Sequence, residues 1–165
     1  MQVLVLRRYA KILSVAAGLF CAAGPALAQQ MPASQGVMGW WLDQTGKAGI
    51  LISQCGSKLC GKIEWLKKPL NENGTPVLDI HNDNAALRSR KVCDLTMLGN
   101  FTTDGHNAWH GGWIYDPASG NTYKSVMHLG ADGRLHVRGY IGIPLFGRSE
   151  IWTRPTAKLT LCSQA

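Results

Sequence analysis

Two alternating runs, Asn121 to Leu129 and Arg134 to Ile141, flank Gly130-Ala131-Asp132-Gly133 and constrain this chain more than any other feature. A type I turn followed by Gly133 in the left-handed region closes such a hairpin. Gly130 then faces Arg134, Met127 faces Val137 and Leu129 faces Leu135. One face of the pair collects Tyr123, Ser125, Met127, Leu129, Leu135, Val137 and Ile141. The other collects Lys124, Val126, His128, His136, Arg138 and Tyr140, because side chains alternate along a strand. A sheet with one apolar face needs something to cover it. Before the hairpin, Trp113-Ile114-Tyr115 reads as a strand ending in Asp116-Pro117-Ala118-Ser119-Gly120, with Asp, Pro and Gly at positions that suit a type I turn. After it, Gly142 to Phe146 with Pro144 breaks the ladder, and Arg148 to Arg154 supplies a last strand.

The earlier chain continues the pattern. Strands are expected over Val37 to Asp43, Ala48 to Gln54, Leu59 to Leu66 and Asp94 to Phe101, with a loop from Thr102 to Ala108. From Lys67 to Lys91 the chain is rich in Pro, Asn, Asp and Gly and has no period of two. One helical turn, Asp83 to Arg88, capped by Asn82 or Asp83, is expected there. Eight strands in sequence with short connections imply an all-β fold: an eight-stranded antiparallel up-and-down barrel, which removes its own edges. A two-sheet sandwich satisfies the same periodicity.

Residues 1–28 read as an export signal, with Arg7, Arg8 and Lys11, an apolar core from Ile12 to Ala23, and Ala26-Leu27-Ala28 before the cut. The expected destination is the periplasm or beyond. The remaining residues, 29–165, suit a single domain. The whole chain carries 17 Lys and Arg against 10 Asp and Glu; the signal removes three of the former, leaving +4. Those basic residues are scattered, which argues against nucleic acid and leaves an anionic membrane surface or an envelope protein as a partner. Cys55, Cys60, Cys93 and Cys162 remain after processing, an even count that reads as two disulfides with three possible pairings. Cys55 and Cys60 flank a tight turn, so the expected pairs are Cys55 with Cys60 and Cys93 with Cys162.

The segments Leu59-Cys60-Gly61-Lys62-Ile63, Asp79 to Arg90, Gly111 to Tyr123, Arg138 to Gly142 and Leu145 to Arg154 together resemble the domain-of-unknown-function 2147 family of exported bacterial proteins. The resemblance spans nearly all of residues 29–165 and implies a lipocalin-like barrel related to fatty-acid-binding barrels. Gly39-Trp40-Trp41 is also similar to the lipocalin Gly-x-Trp start, with Trp41 in the Trp position and Arg154 placed to stack on it. The segment containing Asp79, Asn82, Arg88 and Arg90 is read as a structured lid over one end, because it matches the family closely.

No nucleophile elbow, phosphate loop or free cysteine is present, and Glu64, Asp79 and Glu150 each lack a neighbouring base, so no catalytic residues and no cofactor are assigned. His106 and His110 share a loop rather than a helix face, and His128 with His136 reads as an outward cross-strand pair, so no metal site is assigned. Asp79, Asn82, Asp83 and Asn84 lack the spacing and closing Glu of a calcium loop. The aromatic set is the better guide. Trp41, Trp65, Trp113, Tyr115, Tyr123, Met127 and Trp152 are the candidate lining of a pocket for a small hydrophobic or amphipathic ligand such as an acyl chain. Arg138, Tyr140 and Arg154 are candidates for an anionic head group, although the hairpin register puts Arg138 on the polar face. A solid-packed envelope interaction module is the alternative, and a hydrolase or isomerase using a cavity acid is the third reading. Peptide mapping under non-reducing conditions tests the cysteine assignment: fragments joining Cys55 to Cys60 and Cys93 to Cys162 are expected, and a Cys55 to Cys93 linkage contradicts the turn geometry.

Overall fold

The computed structural model describes residues 36–164; the expected export signal lies outside the described residues. Eight antiparallel strands follow one another in a single sheet: β1 (Gly39–Leu42), β2 (Ala48–Cys55), β3 (Lys58–Leu66), β4 (Thr96–Thr103), β5 (Ala108–Asp116), β6 (Asn121–Leu129), β7 (Leu135–Tyr140) and β8 (Gly147–Trp152). Each strand pairs with the next, and the sheet curls until its two edges meet at one bridge. There, Leu42 N donates to Thr153 O at 2.8 Å and Thr153 N donates to Leu42 O at 3.1 Å.

The β6–β7 register is the one derived above, with Met127 opposite Val137, His128 opposite His136 and Leu129 opposite Leu135. Gly130 N donates to Arg134 O at 2.9 Å, and Gly133, at φ 75°, closes the turn. The β5–β6 turn is also as expected: Gly120 N donates to Asp116 O at 2.8 Å, and the Asp116 carboxylate caps Ala118 N and Ser119 Oγ. The disulfides join Cys55 to Cys60 and Cys93 to Cys162. The second ties residues 69 apart in sequence, anchoring the C-terminal tail, and such a bridge contributes about 2–5 kcal/mol.

Several boundaries differ from the sequence reading. β5 begins at Ala108, not Trp113, and β4 runs on to Thr103, so the expected loop narrows to residues 104–107. The extra length was hidden by Gly111 and Gly112, where the register shifts; a Cβ on Gly112 would lie 2.4 Å from the Phe101 ring, so this glycine makes room for an inward aromatic. β4 starts at Thr96 because Asp94, at φ 66°, and Leu95 instead bond backbone to backbone with Ile63 in an irregular crossing. The helical turn is a single 3₁₀ turn, Ala85–Leu87, capped by Asn84 rather than by Asn82 or Asp83. Asn82 is recruited to a buried network instead. Ile141, placed inward by alternation, is 71% exposed because β7 ends at Tyr140.

Alternation defines two unlike ends. The base gathers residues 36–38, the β2–β3, β4–β5 and β6–β7 turns, and residues 153–154 just after β8, from which the tail runs over the outer face to the Cys93–Cys162 bridge. It is packed with Val37, Trp41, Phe101, Trp109, Met127, Leu135 and Trp152, all essentially buried. Trp109 Nε1 is buried there without a hydrogen-bond partner among the described residues. Arg154 seals the base. Its guanidinium lies 3.8 Å from the Trp41 ring and donates to Gly36 O, Met38 O and Trp40 O at 2.8–3.0 Å. Trp41 Nε1 in turn donates to Val37 O at 2.7 Å. Arg154→Ala is expected to lower the unfolding free energy by about 2–4 kcal/mol, since it uncovers Trp41 and strips three carbonyls of a donor. Arg154→Lys should recover only part of this, because one ammonium cannot stack and fork at once; urea denaturation followed by Trp fluorescence reads both.

Candidate functional site

The opposite end, here the mouth, collects the β1–β2 turn, residues 67–95, the β5–β6 turn and the β7–β8 turn. Below it lies a cavity of about 320 Å³. Its walls are the inward positions of four neighbouring strands: Ile114 on β5, Tyr123 on β6, Val137 and Gly139 on β7, and Arg148 with Glu150 on β8. Ile141 and Phe146 of the β7–β8 turn stand at its rim with Tyr115 and Tyr140. Gly139 keeps the wall thin, since a Cβ there would sit 3.3 Å from Ile114 and 3.5 Å from Tyr123. The Glu150 carboxylate lines the cavity and accepts from Trp152 Nε1 at 2.9 Å, linking it to the packed base. Arg148 has no ion-pair partner among the described residues. A largely apolar wall with one cation, Arg148, and two acids, Glu150 and Asp116, suits a ligand that is greasy along its length and polar at one end.

Of the ten residues assigned from sequence to the ligand, Tyr115, Tyr123 and Tyr140 line this cavity. The others lie elsewhere for identifiable reasons. Trp41, Met127 and Trp152 are inward but belong to the solid base. Trp65 is outward: it converges with Trp40 and the tail residue Leu159 over Gly49, where a Cβ would come within 2.8–3.4 Å of all three. Trp113 is outward as well, its ring lying on Gly99. Arg138 is held outside by Pro144 O at 2.6 Å, Leu145 O at 3.1 Å and Ser149 Oγ at 2.8 Å. Arg154 is committed to the base. Arg148 went unassigned and Glu150 was weighed only as an isolated cavity acid, although both share a face with buried Trp152 in Arg148-Ser149-Glu150-Ile151-Trp152 and simple alternation points to them.

Residues Asp79, Asn82, Arg88 and Arg90, read as a lid, form a latch on the rim, and no residue between 67 and 95 lines the 320 Å³ cavity. Asp79 is fully buried. Its carboxylate accepts from Tyr115 Oη at 2.6 Å, Asn82 Nδ2 at 2.9 Å and Arg90 Nε at 2.8 Å. Asn82 Nδ2 also donates to Tyr115 Oη at 2.8 Å, Arg88 Nε donates to Asn82 O at 2.7 Å, and Arg90 rests 5.3 Å from the Tyr115 ring centroid. The segment also closes on the β5–β6 turn, where Gly120 lies so near His81 O that a Cβ would overlap it. A more open, polar hollow of about 560 Å³ separates this latch from Trp113 and Thr122.

Burial pushes the Tyr115 hydroxyl above its ordinary value, and its bond to the Asp79 carboxylate adds to the shift. Burial likewise raises Glu64, assisted by its hydrogen-bonded neighbour Asp94. His128 and His136 are cross-strand neighbours with ring centroids 6.1 Å apart on the outer face. Among the described residues, no group of three His, Cys, Asp or Glu converges on one point.

Residues 39–154 match the family described as an uncharacterized protein conserved in bacteria, DUF2147. No curated protein matches the chain. The solved structure of protein HP1028 from Helicobacter pylori, described as belonging to the lipocalin family, superimposes with a TM-score of 0.61 at 19% identity, over 72% of this chain and 82% of that one. At that identity the likeness speaks to fold, and it is the lipocalin-like fold. The latch generates a test. Asp79→Ala leaves Tyr115 and Asn82 with buried unmet groups and is expected to cost about 2–4 kcal/mol. A tyrosine whose pKa rises on folding stabilises fully below its unfolded value, 10.0, and that contribution is lost as pH climbs past it. Denaturation from about pH 8 to about pH 11 should show that alkaline loss in the parent and less of it in Tyr115→Phe.

Proposed function

We propose that this chain, which belongs to the DUF2147 family, is an exported bacterial lipocalin-like protein that binds a small amphipathic ligand of acyl or lipid character without altering it. The observation that carries this reading is the 320 Å³ cavity at the mouth of an otherwise solid barrel, a size at the low end of the roughly 300–1,000 Å³ typical of small-molecule sites. Ile114, Val137 and Phe146 would take the hydrocarbon, Tyr123 and Tyr140 would border it, and Arg148 would meet an anionic head group. Arg148 replaces Arg138 and Arg154 in that role, because Arg138 lies on the outer face and Arg154 is committed to the base. The unfilled cavity weighs against a solid-packed module. The fold and the family point to binding rather than catalysis, and Glu150, Asp116, Glu64 and Asp79 are hydrogen-bonded to Trp152, to the β5–β6 turn, to Asp94 and within the latch respectively.

Two disulfides suit an oxidising compartment outside the cytoplasm. With the basic and apolar start of the chain they support cleavage after Ala28, release of residues 29–165 as one domain and residence in the periplasm or medium.

Calorimetric titration with decanoic acid and with decanol tests the assignment. The acid should bind the parent protein, and Arg148→Ala should weaken it by about tenfold or more while changing the alcohol little, since a charge-assisted hydrogen bond is worth about 1.5–3 kcal/mol. Failure of both probes to bind, or equal losses for the two, contradicts the proposal.

A further inference from the structure

The β7–β8 turn carries four large hydrophobic side chains into solvent: Ile141 at 71% exposure, Ile143 at 55%, Leu145 at 75% and Phe146 at 70%. These are half of the eight large exposed hydrophobics among the described residues, gathered in six consecutive positions around Pro144. A monomeric surface seldom concentrates apolar groups this way without a partner.

Four carbonyls of the same turn, those of Ile143 to Phe146, are bonded within the protein. Ile143 O accepts from Phe146 N at 3.1 Å, and Phe146 O accepts from Ile141 N at 3.1 Å. Pro144 O and Leu145 O accept from the Arg138 guanidinium at 2.6 and 3.1 Å. Four successive carbonyls are therefore satisfied within the protein, and Pro144 has no N–H to satisfy. A water-facing loop has no need of this, because solvent would bond those carbonyls; an apolar medium demands it, since unmet backbone groups there are costly.

Charge completes the pattern. Arg138 and Arg148 stand at the root of the turn, and neither forms an ion pair among the described residues. Arg138 is bonded only to neutral oxygens, so its charge is not cancelled. Asp116 and Glu150 keep their charges too, but their carboxylates are bonded away from the tip, Asp116 to Ala118 N and Ser119 Oγ of its own turn and Glu150 to Trp152 Nε1 of the base. An apolar tip above a cationic collar is how interfacial segments meet anionic lipid.

We infer that the β7–β8 turn is a membrane anchor: its tip, Ile141 to Phe146, inserts into the interface of an anionic bilayer while Arg138 and Arg148 meet the phosphates. The chain then sits with the barrel mouth against the lipid, and Ile141 and Phe146, which border the cavity, form its threshold. The anchor shares Arg148, Ile141 and Phe146 with the cavity, whereas Ile143, Leu145 and Arg138 belong to the anchor alone.

The test is flotation of residues 29–165, which contain the whole described barrel, with vesicles of phosphatidylglycerol and phosphatidylcholine or of phosphatidylcholine alone. Binding is expected to the anionic vesicles and to be much weaker to the neutral ones. Ile143→Ser with Leu145→Ser should reduce it by about tenfold or more, from the apolar area lost. Neither residue lines the cavity, so decanoic acid affinity should stay at the parent level, which separates this inference from the binding role. Ile143→Ser alone, a single change at an exposed site, should give an intermediate loss with unchanged thermal unfolding. Absence of vesicle binding, equal binding by parent and double variant, or loss of self-association in place of vesicle binding overturns the anchor.

Discussion

Everything distinctive in this molecule depends on how its sheet is made to close. β1 and the chain after β8 share one two-bond bridge, between Leu42 and Thr153, and a single bridge is a weak fastening for a curled sheet. Arg154 supplies what the bridge lacks. It stacks on Trp41 and holds three carbonyls on the opposite edge, so the last strand is fixed to the first by one side chain. The base can then be filled with large aromatics, because the wall around them cannot open there.

The mouth follows the opposite logic. Inward positions shrink or turn polar along β7 and β8, from Leu135 and Trp152 at the base, through Val137 in the cavity wall, to Gly139, Glu150 and Arg148 above, and space opens where bulk is missing. On one side the rim is stiffened by Asp79, which draws Tyr115, Asn82 and Arg90 to a single buried carboxylate. On the other side the β7–β8 turn stands free of the latch and exposes its apolar side chains. The mouth is therefore bordered by a rigid polar flank on one side and an exposed apolar turn on the other.

Much of this was legible in the residues themselves. Turn chemistry around Gly133 and Gly120 sets two registers, and the count of cysteines with the short Cys55 to Cys60 spacing sets the bridges. The Gly39-Trp40-Trp41 start, with Arg154 over Trp41, was legible through resemblance. What escaped has a physical reason in each case. Trp65 and Trp113 look like core from composition alone, yet each covers a glycine on the outer face, Trp65 beneath a tail whose path is set by the distant Cys93–Cys162 bridge. Asp79 and Asn82 read as turn-formers because their partner Tyr115 is more than thirty residues away. Arg148 was readable by parity from Trp152, but a strand opening with Arg, Ser and Glu suggests solvent before it suggests a cavity.

The central claim is that this barrel is sealed at the Trp41–Arg154 end and receives a ligand through the other. A crystal structure of the protein soaked with a terminally brominated fatty acid tests it most directly, because the bromine marks where the chain tip comes to rest. The account expects anomalous density inside the wall formed by Ile114, Tyr123 and Val137, with the carboxylate toward Arg148. Density only on the outer surface, or a mouth filled by protein side chains with no room for the probe, would contradict it.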